Sequence, residues 1–542
     1  MTSPLSPHPD APSRAASDDP PFAWTADEIR RVGYRAIDLV AAHLTDLPGE
    51  PTFRPVPQAL ADAFRAEAPP AAGEGPDAVL DRFARDVAPY PFGNGHPRFF
   101  GWVNSPPAVM GVVGAALAAA MNPSVAGGNH AAVWVERQVT EWMKALLGFP
   151  ADGMGLLVSG GSAAAITALA VARHRACARR GWDVRAEGLP LVVDGRPRHL
   201  LVYKSAEGHG CNQKAAELLG LGRANVREVP VDAALRMRPD ALDAMLGADA
   251  AAGHAPVAVV ASAGTVNTGA VDPLAAIADV CARRGVWLHV DGAYGAPAAL
   301  LAGPSAPDGL PAEDCAALAA LGRADSVAVD AHKWLYVPVD AGLVLVRDAG
   351  AMRDAFSLVP PYLRTDGNAH GVQGPPWLAE YGAEQTRPFR GLKVWMAMRH
   401  LGMEGYRALV ARDVALARHW AARVRAEPEM ELWEPQGLSI VCFRAAPEAL
   451  DGPAVDALNR RVLRDVQLGG AGFLSSTVLG GRFWLRACVV NPRATAADVD
   501  AVLDAVLAAV RTAAGDARQD AATGVPQTDS GTAPSGGAGA GH

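Results

Sequence analysis

The chain has 542 residues, a net charge of −8 and a hydrophobic fraction of 50%. This length and apolar content are enough for a large core and more than one domain. The sequence has no basic stripe mixed with aromatics, which excludes nucleic acid as an expected partner. Its six cysteines form no CxxC pair, so neither a zinc site nor a disulfide framework is predicted, and a cytoplasmic location is expected.

Both ends of the chain are expected to be disordered, over residues 1–22 and 515–542, because they are rich in small and polar residues with little to bury. The first stretch lacks the basic start and apolar run of a secretion signal. Residues 107–121 are the most apolar segment, but they are too short and too weakly apolar to span a membrane. No membrane association is therefore expected.

The first regular element is a predicted amphipathic helix over residues 25–47. Thr25 and Glu28 have the spacing of a capping box, and Pro48 and Gly49 end the element. Its apolar face carries Ile29, Val32, Ile37, Val40 and Leu44. A helix ahead of the main domain must bury such a face, and a second subunit is one way to do so.

Between residues 150 and 350, short β-branched runs alternate with helical segments, which predicts parallel strands with crossover helices. The predicted strands are 200–203, 257–261, 286–290, 326–329 and 343–346, and the predicted helices are 163–175, 213–221 and 273–284. A smaller α+β region with strands near 438–443 and 483–489 follows. Ligands of a parallel sheet bind at the carboxyl ends of its strands.

Two features at such strand ends are weak when taken alone. The small-residue loop before Ser162 and Ala163 opens into a helix, where backbone N–H groups and the helix dipole favour a phosphate. A Gly-Gly turn before a helix is, however, often only a turn. His209 follows the strand 200–203 and is equally interpretable as a capping or surface residue.

Asp291 ends an apolar strand and is followed by small residues. A carboxylate in a buried site needs a cationic partner, such as a protonated pyridine nitrogen, and Ala293 leaves room for a flat ring. Asp291 is also interpretable as a cap of the next turn. With His289 it is interpretable as two ligands of a facial iron triad, although that site normally belongs to an all-β fold.

Lys333 follows the strand 326–329 and lies between His332 and Trp334. In partly apolar surroundings desolvation lowers the pKa of a lysine and makes it a nucleophile toward an aldehyde. A single loop lysine is ordinarily a surface charge. The order of a glycine loop, a histidine, a strand-end aspartate and then a lysine is what favours a common site.

This ordered set resembles the group II pyridoxal-phosphate (PLP)-dependent amino-acid decarboxylases, the family of aromatic-amino-acid, histidine and glutamate decarboxylases. The resemblance runs from about residue 25 to residue 511. Its motifs are Gly95-His-Pro-Arg-Phe-Phe, His289-Val-Asp-Gly-Ala, Asp330-Ala-His-Lys-Trp-Leu, Arg387-Pro-Phe-Arg-Gly-Leu-Lys and Leu485-Arg-Ala-Cys-Val-Val-Asn-Pro.

The resemblance implies an α/β protein of PLP-dependent transferase fold type I, usually a homodimer. Its large domain holds a mainly parallel sheet, preceded by an N-terminal helical segment and followed by a small C-terminal α+β domain. The implied segments are a disordered N-terminus (1–22), a helical dimerisation segment (23–105), the large PLP-binding domain (106–395), the small domain (396–514) and a disordered tail (515–542).

The resemblance also implies the cofactor, PLP, and the residues around its ring. Lys333 would hold the cofactor aldehyde as a Schiff base, and Asp291 would keep the pyridine nitrogen protonated so that the ring is an electron sink. His209 would stack on one face of the ring, with Ala293 on the other and Thr265 nearby.

Further roles concern the phosphate and the substrate. Ser162, Ala163 and His332 would contact the phosphate. Arg486 would pair with the substrate carboxylate, as suits a bidentate guanidinium. Trp102 and Asn104 would line the substrate pocket. No metal ligand is expected.

The implied reaction is decarboxylation of an L-amino acid, a carboxylic acid, to the amine through a quinonoid. The chain departs from the family in two places: Ala165 replaces an asparagine, and the loop tyrosine that returns the proton to Cα falls at Leu378, with neither Tyr362 nor Tyr381 aligned. Members without that tyrosine form aldehydes, so an oxidative deaminase is the alternative, and an iron oxygenase is a remote one. The substrate stays open between aromatic and acidic or other amino acids.

Overall fold

The structure is a computed structural model that describes residues 23–189, 192–193, 196–197, 199–302, 309–358 and 371–523. The chain divides into two compact units, one of Met1–Asp46 and Pro55–Pro91, the other of Leu47–Arg54 and Phe92–His542. The expected disorder of residues 1–22 lies outside the described residues.

The first unit is helical. Its helices are α1 (Ala26–Asp46), α2 (Gln58–Ala66) and α3 (Pro76–Arg82), and a π-helical turn (Phe83–Val87) continues α3. The predicted capping box is confirmed, because the Thr25 N–H donates to Glu28 Oε2 at 2.8 Å and the Glu28 N–H donates to Thr25 Oγ1 at 3.2 Å. Arg31 and Arg35 of α1 form ion pairs with Asp77 of α3, at 2.6 and 2.7 Å.

The second unit contains the sheets. Its helices are α4 (Val109–Met121), α5 (Ala131–Leu146), α6 (Gly161–Ala178), α7 (Val184–Glu187), α8 (Gly210–Leu218), α9 (Pro239–Ala251), α10 (Leu274–Arg284), α11 (Ala312–Ala319), α12 (Ala349–Phe356), α13 (Arg390–Arg425), α14 (Gly452–Gly469) and α15 (Ala496–Thr523). Its strands are β1 (Met154–Val158), β2 (Val192–Val193), β3 (Arg196–Pro197), β4 (Leu200–Ser205), β5 (Val226–Val229), β6 (Ala255–Ser262), β7 (Trp287–Asp291), β8 (Ser326–Asp330), β9 (Gly342–Val346), β10 (Met430–Leu432), β11 (Ile440–Ala445), β12 (Ser475–Leu479) and β13 (Arg482–Cys488).

The large sheet has seven strands in the order β1-β9-β8-β7-β6-β4-β5. The run from β8 to β5 is parallel, as predicted from the alternation of strands and helices. The expectation that residues 343–346 form another parallel strand is wrong, because β9 is antiparallel to both β8 and β1. Residues 331–341 contain no crossover helix, and a parallel return needs one.

Helices cover this sheet on both faces, so its central strands are buried throughout; every residue of β8 and β9 is buried. Burial on both faces explains why the strands are continuous apolar runs rather than alternating ones. The carboxyl ends of the parallel strands β4, β6, β7 and β8 therefore meet at one edge, where polar side chains can be held together.

A second, antiparallel sheet in the order β10-β11-β13-β12 follows, as expected for the smaller α+β region. Helix α15 continues to Thr523, past residue 515, where the tail was expected to begin. Residues 513–522 are rich in alanine, the best helix former, which sustains the helix. Among the described residues, no helix has both the length and the apolarity that a membrane crossing requires.

Candidate active site

A cavity of about 490 Å³ lies at the carboxyl ends of the parallel strands. Ten of the eleven predicted site residues line it: Trp102, Asn104, Ser162, Ala163, His209, Thr265, Asp291, Ala293, His332 and Lys333. Arg486 is not among the lining residues. The fold thus brings together features that are up to 231 residues apart in the chain, from Trp102 to Lys333.

One wall of the cavity is the loop between β1 and α6. Helix α6 starts after Gly160 without a side-chain cap, so the first-turn N–H groups, including those of Ser162 and Ala163, are left free of helical partners. A methyl group added at Gly161 would lie 3.2 Å from Ala293 Cβ and from Asp330 Oδ2, so the loop tolerates only a small residue there. Free N–H groups at a helix start lining a cavity fit a phosphate.

Lys333 lies beside a carboxylate that the sequence analysis did not assign to the site. Its Nζ is 2.9 Å from Oδ2 of Asp330, three residues earlier. Burial alone would lower the pKa of Lys333, but the negative charges of Asp330 and Asp291 outweigh it, and the pKa is raised. The expectation that the pKa of Lys333 is lowered is therefore wrong, because two carboxylates outweigh the effect of burial.

The segment that carries Lys333 is anchored on α13. The indole N–H of Trp334 and the hydroxyl of Tyr336 donate to Oδ2 of Asp413, at 2.9 and 2.8 Å. All three side chains are buried, and burial raises the pKa of Asp413 to about 7. Two hydrogen bonds at one buried acceptor fix the loop just beyond the lysine.

Asp291 ends β7, and each of its carboxylate oxygens has a protein donor. The N–H of Ala293 donates to Oδ1 at 3.2 Å, and Nδ2 of Asn212 donates to Oδ2 at 3.0 Å. The bond from the Ala293 N–H means that Asp291 does cap the turn after β7. The side chain of Asp291 also lines the cavity. A carboxylate held this way fits a protonated ring nitrogen.

Sequence analysis missed Asn212, although a signal was available. On α8 the buried residues are Asn212, Ala215 and Ala216, which share one face of the helix. A polar side chain on an otherwise apolar buried face needs a hydrogen-bond partner. Its spacing of three residues from His209 places both at the start of the same helix.

His209 proves to be both a helix cap and a cavity residue. It is the N-cap of α8, and its Nδ1 accepts a hydrogen bond from the Cys211 N–H at 3.1 Å. In the neutral ring the proton is then on Nε2. The cap fixes the ring at the cavity wall, so the structural and functional interpretations of this residue are compatible.

Two other predicted site residues have side chains that accept hydrogen bonds from backbone N–H groups. Nδ1 of His332 accepts from the Ala341 N–H at 3.2 Å, and burial lowers the pKa of this histidine. Oγ1 of Thr265 accepts from the Ala270 N–H at 3.2 Å. Both side chains are thereby held in one orientation at the cavity.

Arg486 lies behind Trp102 rather than on the cavity wall. Its Nη1 donates to the Trp102 carbonyl at 2.9 Å and its Nε donates to the Asn267 carbonyl at 3.0 Å. Its buried Nη2 has no partner among the described residues. Trp102 itself is 45% exposed, on backbone with a positive φ of 49°.

The iron interpretation fails on the geometry of His289. This side chain is fully buried, its Nδ1 lies 2.9 Å from Ser326 Oγ, and it does not line the cavity that Asp291 lines. Burial lowers the pKa of His289 to about 4. In the described part of the chain no three His, Cys, Asp or Glu residues are grouped to hold a metal.

Leu378, at the position of the family's loop tyrosine, and the nearby candidate proton donor Tyr381 both lie away from the cavity. Leu378 and Tyr381 lie in a short 3₁₀ helix and are buried with Phe389 in an apolar cluster. Neither lines the cavity. Tyr362 lies outside the described residues. Ala165 is buried in that same cluster, so the missing asparagine leaves no polar gap.

This combination of fold and site defines the class of the protein as a PLP-dependent enzyme of fold type I. The free N–H groups suit the phosphate, Asp291 suits the ring nitrogen, and the lysine suits the aldehyde. A family model described as the pyridoxal-dependent decarboxylase conserved domain matches residues 57–446. The chain belongs to this family: it is a PLP-dependent carboxy-lyase of amino-acid metabolism.

Individual relatives agree with this assignment. The chain is 32% identical to an aromatic-L-amino-acid decarboxylase of Bacillus atrophaeus, over 88% of this chain and 94% of the relative. It is 27% identical to a phenylacetaldehyde synthase of Arabidopsis thaliana, over 86% and 92%. The crystal structure of Oryza sativa TDC with PLP and tryptamine superposes with a TM-score of 0.81 at 28% identity, over 91% of this chain and 99% of that one.

Proposed function

We propose that this protein decarboxylates an L-amino acid to the amine and carbon dioxide, with PLP held on Lys333 as a Schiff base. The observation that supports this most is that Lys333, Asp291 and the start of α6 line the same cavity. When bound, PLP supplies a protonated ring that takes up the electron pair left at Cα as carbon dioxide leaves.

In this proposal each residue has one task. The free N–H groups of Ser162 and Ala163 bind the phosphate. Asp291 holds the proton on the ring nitrogen, since a carboxylate favours a nearby positive charge. His209 and Ala293 pack on the two ring faces and so keep water from them. The remaining predicted contacts, Thr265 beside the ring and His332 at the phosphate, complete the cofactor site.

For the substrate we propose an aromatic amino acid. The half-exposed indole of Trp102 lines the cavity beside Asn104 and is available to stack on a flat side chain. The relative named an aromatic-L-amino-acid decarboxylase supports this choice. Arg486 keeps its proposed role as the partner of the substrate carboxylate, through an Nη2 that has no partner among the described residues, although it lies behind Trp102 and does not line the cavity.

We also propose a homodimer in a reducing cytoplasm. Helix α1 has no buried residue, and Ile29 and Ile37 are 57% and 55% exposed. A second copy that covers this apolar face is the simplest partner, in keeping with the proposed helical dimerisation segment at residues 23–105. The six cysteines are free thiols, as suits a reducing compartment.

A second candidate reaction is the oxidative formation of an aldehyde. The observations that favour it are the buried position of Tyr381, away from the cavity, and the aldehyde-synthase relative. In that reaction the amino acid, dioxygen and water give aldehyde, carbon dioxide, ammonia and hydrogen peroxide. In simple decarboxylation the electron pair left at Cα forms a new C–H bond. In the oxidative reaction dioxygen accepts those two electrons and becomes hydrogen peroxide.

The test is a product analysis of the holoenzyme with a panel of aromatic, acidic and basic L-amino acids. Carbon dioxide and amine in a one-to-one ratio, without oxygen uptake, are expected, with the highest kcat/KM for an aromatic substrate. Stoichiometric peroxide and aldehyde would overturn the amine assignment. Carbon dioxide release from none of the amino acids would overturn the proposed function as a whole.

The role of Asp291 is tested with Asp291→Asn, which keeps the size of the side chain and removes its charge. A loss of a few kcal/mol of transition-state stabilisation would lower kcat by about a hundredfold or more, because the interaction strengthens as charge develops. A purely structural role predicts instead a lower melting temperature with near-normal kcat. Measuring both quantities on the same variant separates the two outcomes.

A further inference from the structure

Asp291 is held by a side chain that lies outside the roles assigned above. Nδ2 of Asn212 is 3.0 Å from Asp291 Oδ2 and 3.3 Å from the carbonyl oxygen of His209. Only the amide nitrogen has two protons to donate to two acceptors, so these partners determine the orientation of the amide. Asn212 is 1% exposed, so no bulk water competes for these bonds.

The same amide carries a cost that a structural role does not require. Its Oδ1 is buried and has no hydrogen-bond partner among the described residues. A leucine at this place would fill similar space beside Ala215 and Ala216 without an unsatisfied oxygen. The hydrogen bonds to Asp291 and to the His209 carbonyl are therefore what Asn212 contributes beyond an apolar side chain, and the bond to Asp291 is the one that reaches the cavity lining.

The bond acts on the carboxylate in two ways. With Ala293 N–H on Oδ1 and Asn212 on Oδ2, rotation of the carboxylate would break one of the two bonds. A donated hydrogen bond also stabilises the negative charge, so a proton shared with a ring nitrogen is drawn to the nitrogen. Both effects favour a protonated ring.

We propose that Asn212 is a positioning residue that orients Asp291 and keeps the proton on the pyridine nitrogen of bound PLP. This inference rests on the proposed function, in which Asp291 faces that nitrogen. Asn212 does not itself line the cavity. It acts from the start of the helix that His209 caps, so one turn of α8 provides both the ring-stacking side chain and the support of the ring's counter-ion.

The experiment compares holoenzymes reconstituted with PLP that is ¹⁵N-labelled at the ring nitrogen. The variants are Asn212→Leu, the neighbouring control Gln213→Leu and the reference Asp291→Asn. Gln213 is one residue along α8, and its side-chain amide donates to Oε1 of Glu217 at 2.8 Å. The ¹⁵N chemical shift reports protonation of the nitrogen independently of turnover, and the melting temperature reports folding.

Asn212→Leu is expected to move the ¹⁵N signal toward that of a neutral pyridine and to lower kcat about tenfold, with KM changed less than about threefold. Gln213→Leu is expected to match the wild type. A wild-type shift in Asn212→Leu, together with a displaced shift in Asp291→Asn, would overturn this inference alone. A wild-type shift in Asp291→Asn would overturn the proposed role of Asp291 itself.

Discussion

The raised pKa of Lys333 depends on Asp330, and Asp330→Asn tests this directly. The substitution keeps the shape of the side chain but removes the charge 2.9 Å from Nζ. A hydrogen bond to a charged group contributes about 1.5–3 kcal/mol. Its loss should therefore lower the pKa of Lys333, and a free-energy change of that size corresponds to about a ten- to a hundredfold increase in the fraction of neutral amine.

The direction in which the pKa of Lys333 changes follows from the effects that act on this lysine. Burial lowers its pKa, whereas Asp330 and Asp291 raise it. Without Asp330 only one of the two carboxylates opposes burial, so the neutral amine becomes available at lower pH. The variant should therefore react faster than the wild type near neutral pH, by about ten- to a hundredfold, with any electrophile that reaches Nζ.

The assay is competitive acetylation of the apoenzyme between pH 7 and 11, with the Lys333 peptide quantified by mass spectrometry. The control is Asp325→Asn, in which the altered carboxylate precedes β8 and bonds to the Leu288 N–H at 2.8 Å, at the opposite end of the strand. The control should titrate as the wild type does. An unchanged or higher midpoint for Asp330→Asn would refute the electrostatic argument.

Two further predictions concern assembly and pH. Replacing the exposed Ile29 and Ile37 by aspartate should convert the proposed dimer to monomer in sedimentation, and a dimer that both substitutions leave unaltered would remove α1 from the interface. Burial raises the pKa of Asp413 from 3.8 to about 7, so the folded chain keeps a proton that the unfolded chain loses, and stability falls as pH rises from about 4 to 7. Asp413→Asn should gain up to about 4 kcal/mol over the wild type across this range in urea unfolding; a pH-independent difference would contradict this.

Much of the site could be predicted because the residues with suitable chemistry each stand just after a predicted strand. A helix start, a strand-end acid and a loop lysine each follow a buried strand, and parallel strands bring their carboxyl ends to one edge. His289 could also be separated from Asp291 by the βα alternation, which is unlike an iron site. The structure then places His289 inside the sheet and Asp291 at its edge.

What could not be predicted depends on distances across the fold. The pair of Lys333 and Asp330 reverses the expected pKa shift, and the sequence spacing alone does not say whether the two side chains touch. Asn212 and Asp291 are 79 residues apart in the chain, and their contact follows from the packing of α8 on the sheet. The strand at 343–346 was predicted, but its antiparallel direction was not, because an apolar pattern is the same in either direction.

The central claim is that Lys333 carries the cofactor, and borohydride reduction of the holoenzyme tests it most directly. Reduction makes the bond between PLP and its lysine permanent, and mass spectrometry of the digest identifies the residue. The chain has five lysines, and Lys393, whose pKa burial lowers, is the strongest rival as a nucleophile. Label on Lys333 alone is the predicted result, and label on Lys393 or any other lysine would contradict the account.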